Sequence, residues 1–156
     1  MGNQFTNWVK QKREEQFFAR FERTGKVEEV PNELIRDKPF ALRAIKQGAN
    51  LLDLLGEKLK DDREVVLRAV ENEPLSFEYA SERLRGDYQI IHTALKKHPQ
   101  AFEFVAPEAK RLIMIVVRDM RKNGPLMTNI LEYEGMTQEE VDVVDKIAYI
   151  VYGSSI

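Results

Sequence analysis

The feature that most constrains this chain is that it aligns with itself. Displaced by about 25 residues it superposes without a gap, in four units that start at Leu34, Leu59, Leu84 and Ala109. Equivalent positions then read Asp37, Asp62, Asp87 and Leu112. Phe40-Ala41, Val65-Val66, Ile90-Ile91 and Ile115-Val116 follow, then Ala44-Ile45, Ala69-Val70, Ala94-Leu95 and Asp119-Met120. Later in each unit come Leu52, Phe77, Phe102 and Met127, and then Leu55, Ala80, Val105 and Ile130. A unit this short cannot bury its apolar faces alone, so neighbours must stack to share one core.

Each unit reads as two short helices. The apolar residues of the first half fall at i, i+1, i+4 and i+5, which is one helical face. Leu42, Leu67 and Val117 lie next to that face and widen the buried arc, as a helix covered from two sides requires. Asp37, Asp62 and Asp87 stand where a carboxylate can accept from the free amides of a first turn. Pro74 and Pro99 end one helix and open the next, because proline lacks an amide donor; Gly124 stands at the matching place in the fourth unit. Phe77, Ala80 and Leu84 keep i, i+3, i+7 spacing, as do Leu52, Leu55 and Leu59. Pro107 and the missing fourth aspartate predict one longer helix from about Pro107 to Lys122.

The ends depart from the pattern. Residues 1–30 carry an aromatic, basic helical segment. Thr137 and Glu140 form a capping box, with Met136 and Val141 placed as a hydrophobic staple. The helix they open is predicted over 137–153, ending at Gly153. The fold expected is all-α: a short right-handed α-solenoid of about four helix-turn-helix repeats over 34–133, capped at both ends, in a single domain over 1–156.

The stretch from Leu59 to Asp87 resembles the helical repeats of the domain-of-unknown-function 4116 family. Its signature is Asp62, Glu64, Val65, Val66, Leu67, Ala69 and Val70, then Tyr79, Ala80, Ser81, Leu84 and Arg85. The resemblance is good over about residues 59–108 and weaker over 34–58. It implies an all-α repeat array of the kind met in bacterial and viral proteins, and it carries no catalytic residues over.

Composition narrows the functions. The 156 residues are 43% apolar and 32% charged, a globular balance, with 24 basic and 26 acidic residues for a net charge of −2. Near-neutrality gives no global attraction to nucleic acid or to an anionic membrane. The absence of cysteine excludes disulfides, thiolate metal sites and cysteine nucleophiles. No apolar run approaches the ~20 residues that span a bilayer, and no secretory leader is evident, so the compartment expected is the cytoplasm of the native or a host cell. Met1 to Thr6 fits the short N-myristoylation pattern. No phosphate loop or metal-ligand pattern occurs, and no cofactor is expected. His92 and His98 project about 240° apart on a helix, so they cannot share a metal. His92 reads as a partly buried helix residue, and His98 as a cap or solvent residue.

Catalysis is therefore not expected; binding of a macromolecule is. Phe5, Trp8 and Val9 form one helical face, and Phe17, Phe18 and Phe21 nearly the opposite one. Either the helix breaks and both clusters bury, or it continues and one cluster faces solvent, a partner or a second copy. Lys10, Lys12, Arg13 and Arg20 are interspersed, and residues 1–26 carry six basic and three acidic groups. A second candidate is a basic ladder: Arg43, Arg68 and Arg118, with Thr93 as its polar rung, then Lys46, Lys96 and Arg121, extended by Lys97 and Lys122. It would suit an acidic protein or phosphates. Its bland alternative is cations placed late in each helix, where the dipole favours them; Asp53, Glu78 and Glu103 sit early in the second helix by the same rule. The function expected is a protein-interaction module using the aromatic helix, the basic ladder or both. Nucleic-acid or phosphate binding along the ladder is the alternative, and a homodimer falls within the first reading.

Overall fold

The structure is a computed structural model that describes residues 2–123 and 137–153. Gly124, Met127, Ile130 and the staple residue Met136 lie outside them. Every regular element among the described residues is helical. Helix α1 runs Gly2–Thr24. The first halves of three units are α2 (Lys38–Lys46), α4 (Arg63–Asn72) and α6 (Tyr88–Lys97), with the one-turn helices α3 (Glu57–Lys60) and α5 (Glu82–Arg85) between them. Helix α7 spans Pro107–Asn123 and α8 spans Gln138–Gly153, close to the limits the sequence predicts.

The three aspartates cap as their position demands. Asp37 accepts from the Phe40 amide at 2.9 Å, Asp62 from Glu64 at 3.1 Å and Asp87 from Gln89 at 3.0 Å. Each satisfies an amide that the helix cannot. The capping box of α8 closes as well: the Thr137 amide donates to Glu140 at 2.8 Å and the Glu140 amide to Thr137 Oγ1 at 3.3 Å. Helix α2 has no proline after it and stops at Gly48 (φ 89°), whose amide donates to Ile45 O while Ala49 donates to Ala44 O. That pair of bonds is a Schellman ending.

The second half of each of the first three units differs from the expected helix. Leu52–Leu54, Pro74–Tyr79 and Pro99–Phe104 are 3-10 turns. The chain then extends at Leu55, Ala80 and Val105 (ψ 155°, 155° and 135°). The spacing i, i+3 suits a 3-10 turn as well as an α-helix, so periodicity could not separate them. The break has a cause. Gly56 N donates to Ile35 O at 2.8 Å, Ser81 N to Lys60 O at 2.9 Å and Ala106 N to Arg85 O at 3.0 Å. Donors and acceptors both step by the repeat length. A continuous helix would commit these amides to its own carbonyls four residues back, whereas the extended residue frees each one to tie its unit to the one before.

Helices α2, α4 and α6 pack side by side in chain order. Val65, Val66, Val70, Ile90, Ile91 and Leu95 are sealed between them. The main neighbour of α6 on its far side is α8, against which α7 also packs. The repeat pattern would place residues 112–122 beside α6. Instead, Ile113, Val116, Val117 and Met120 of α7 and Val144, Ile147, Ala148 and Val151 of α8 are all buried. The apolar residues of α8 cover an arc wide enough to face two helices, which lets it take the position next to α6.

Candidate partner-binding surfaces

Helix α1 is continuous, and its two aromatic clusters meet opposite fates. Phe17 and Phe18 are buried against Phe40 of α2, with ring centroids 4.9 and 5.8 Å away, and Phe21 packs at their edge. Ion pairs fix the helix to the first unit: Lys10 with Asp37, Arg13 with Glu33 at 3.4 Å, and Glu14 with Arg43 at 3.0 Å. The other cluster is left outside. Phe5 is 68% exposed and Trp8 56%, their rings stacked on one another at 6.2 Å. Val9 beside them is half-buried. The expectation that a break in α1 buries both clusters is thus not met, because the helix is continuous and leaves Phe5 and Trp8 exposed.

The basic ladder is less free than its spacing suggests. Arg43 is spent on the fold: besides Glu14, its guanidinium lies 4.1 Å over the Phe18 ring. Arg68 pairs with Glu71 at 3.0 Å. Lys97 donates to the Glu71 main-chain carbonyl, and Thr93 to Gln89 O at 2.8 Å. Asn72 holds the same repeat position as Lys97 and donates to Ile45 O. Both therefore donate to carbonyls in the last turn of the neighbouring helix, which is the dipole role of late polar residues. Lys96, Arg118 and Arg121 are exposed, and Lys12 is exposed but paired with Glu15 at 2.8 Å. Lys46 and Arg68 line a groove of about 420 Å3 between α2 and α4, where Glu64 and Glu71 offset them.

A second ladder, not expected from the repeat spacing, runs through the capping aspartates. Lys38, first residue of α2, reaches Asp62 at 2.8 Å and Glu64 at 2.9 Å on the next helix. Arg63, first residue of α4, reaches Asp87 at 2.8 Å and Gln89 at 2.7 Å. Lys10 does the same to Asp37 from α1, and Gln89 continues the series to Glu139 of α8 at 3.2 Å. Each capping aspartate thus holds the first turn of its own helix and a side chain from the helix before. Burial pushes the Asp62 carboxyl up, but Lys38 and the Val65 and Glu64 amides outweigh it and hold it below its ordinary range. The signal was present as a cation directly after the aspartate in units one and two, replaced by Tyr88 in the third.

The histidines do separate things. His92 is half-buried where Leu42 and Leu67 stand in other units. Burial lowers its pKa, and the charges of Lys146 on α8 and Lys96 on α6 lower it further. His98 stands at the cap position expected, ending α6 with its amide on Ala94 O and opening the third 3-10 turn, but its side chain makes no cap bond and Nδ1 is buried without a hydrogen-bond partner among the described residues. No group of three or more metal-ligating side chains converges among the described residues. None of the described helices is long and apolar enough to cross a membrane.

These features define an all-α protein whose first helix holds an aromatic pair in solvent. Within it, residues 62–108 match the family described as Domain of unknown function (DUF4116). The matched segment starts at one capping aspartate and takes in the next, and it ends just inside α7. No curated protein and no solved structure matches the chain.

Proposed function

We propose that the protein is a non-catalytic, cytoplasmic interaction module, a short right-handed α-solenoid that takes hold of a partner protein through Phe5 and Trp8. The observation carrying this reading is the unequal treatment of the two aromatic clusters on one helix. Leaving two large rings in water forgoes the stabilisation that burying them would bring, and aromatic side chains, tryptophan above all, are the usual anchors of interfaces. The period-matched backbone bonds between units support the solenoid, since they repeat one geometry from unit to unit. Pairing of Arg43 and Arg68 with carboxylates weakens the alternative of a phosphate-binding ridge.

Trp8 is the single tryptophan, so its fluorescence reports on this surface alone. The free protein should be fully quenched by acrylamide. Partner recovered from cognate lysate by the tagged protein should survive nuclease, shield Trp8 from acrylamide, and be lost with Trp8→Ala. Capture that Trp8→Ala leaves intact refutes the reading. Capture that disappears with nuclease, and weakens steeply with salt, transfers the function to Lys96, Arg118 and Arg121. A concentration-dependent dimer abolished by Trp8→Ala identifies the partner as a second copy.

A further inference from the structure

The 3-10 turns bring together residues that the α-helices do not use. Neighbouring turns pack on each other, so equivalent positions form rungs along one edge of the stack. Leu54, Tyr79 and Phe104 occupy one such position. Leu54 is 36% exposed and Tyr79 41%, while Phe104 is half-buried. Directly before each stands an exposed acid: Asp53, Glu78 and Glu103. None of the three carboxylates forms an ion pair among the described residues. The rungs are close enough to interact, since the Glu78 carboxylate and, from the previous rung, the charge of Asp53 both push the Tyr79 hydroxyl pKa up. Leu75, 38% exposed, eclipses Glu78 on the same turn and adds apolar area. The third rung is partly covered, because Lys110 donates to the Glu103 main-chain carbonyl at 3.0 Å.

We propose that this edge, apolar at Leu54, Tyr79 and Phe104 and acidic at Asp53, Glu78 and Glu103, is a docking surface for a basic amphipathic helix of a partner protein. Charge complementarity selects the occupant: three carboxylates in line, without an ion pair among the described residues, repel acidic segments and nucleic acid, and attract a segment with a row of Lys or Arg. Spacing selects its form. Packed helices lie about 8–10 Å apart, which sets the step between rungs. A partner helix rises ~1.5 Å per residue, so side chains one heptad apart repeat every ~10 Å and keep pace with the rungs. The surface is separate from the Phe5–Trp8 pair, so it stands or falls independently of that anchor.

The test uses the full chain and a labelled leucine–lysine peptide of about 20 residues with its leucines on one helical face, long enough to cover the three rungs. Saturable binding is expected by fluorescence polarisation. A scrambled peptide of the same composition, and a leucine–glutamate counterpart, should bind at least about tenfold more weakly. Asp53→Lys/Glu78→Lys should weaken binding about tenfold, since it turns two attractions into repulsions. Glu22→Lys/Glu28→Lys makes the same change in net charge at exposed positions outside the three rungs and should leave affinity within about twofold. Tyr79→Ser tests the apolar rung without altering charge and should also weaken binding. Equal losses from the two charge-reversed doubles overturn the proposal, as does equal binding of the scrambled peptide. Loss of binding with Trp8→Ala overturns it too, by moving the peptide to α1.

Discussion

Replacing Asp62 by alanine tests the way in which the units are joined. The carboxylate accepts from the Glu64 amide at 3.1 Å and the Val65 amide at 3.2 Å, and receives Lys38 at 2.8 Å from the neighbouring helix. Loss of an N-cap costs about 1 kcal/mol. The ion pair adds little to this, because the Lys38 side chain is 39% exposed and solvent screens it. Asp62→Ala should therefore destabilise by roughly 1–2 kcal/mol, or about 3–6 °C in Tm for a chain of this size. Urea unfolding measures it, with Lys38→Met as the companion that removes the pair and leaves the cap. The companion should lose less than half as much. The sign with pH follows from the carboxyl being held below its ordinary value of 3.8. Its contribution is fully present above that value and is lost as pH falls through the lower folded pKa. The gap between parent and variant should hold from neutral pH down to about 4 and close only below it. A loss under about 0.5 kcal/mol, the cost of an ordinary surface change, refutes the claim that this carboxylate ties α4 to α2.

Two further outcomes discriminate between the faces of α1 and between the units. Phe17→Ala should cost about 3–5 kcal/mol, because a buried ring leaves a cavity, whereas Trp8→Ala should shift the urea midpoint by less than about 0.5 kcal/mol; comparable losses would mean that Trp8 is part of the core. His92→Leu restores the residue type of Leu42 and Leu67 and should stabilise increasingly as pH falls. The folded protein depresses the His92 pKa below 6.5, so the unfolded chain binds the extra proton first and the parent loses stability through that window. Denaturation at about pH 8 and pH 5 measures this, and a pH-independent difference between parent and variant would contradict it.

The legible parts of the chain are those written in local chemistry. Asp37, Asp62 and Asp87 cap because a short carboxylate before an apolar run has few other roles, and Thr137 with Glu140 closes α8 by the same logic. Pro107 and the lost aspartate announced the long α7. What local pattern could not carry was direction in space. Ala80 fits the spacing of a helix, yet it extends because the Ser81 amide bonds Lys60 O in the previous unit, and no residue of its own unit states that need. Arg43 has the position of a ridge residue, but Glu14 and Phe18 claim it from a helix more than twenty residues earlier. Helix α8 takes the place beside α6 because its apolar arc is wide enough to face two helices, a property of the whole helix and not of a motif. Exposure of Phe5 and Trp8 was undecided for a related reason: their own spacing is equally good for burial. It was decided at Phe17 and Phe18, whose contact with Phe40 fixes the axis of α1 and thereby commits the far side of the same helix to solvent. The candidate binding surface is thus set by core residues that never touch it, and for that reason Phe17 and Trp8 must be tested as a pair.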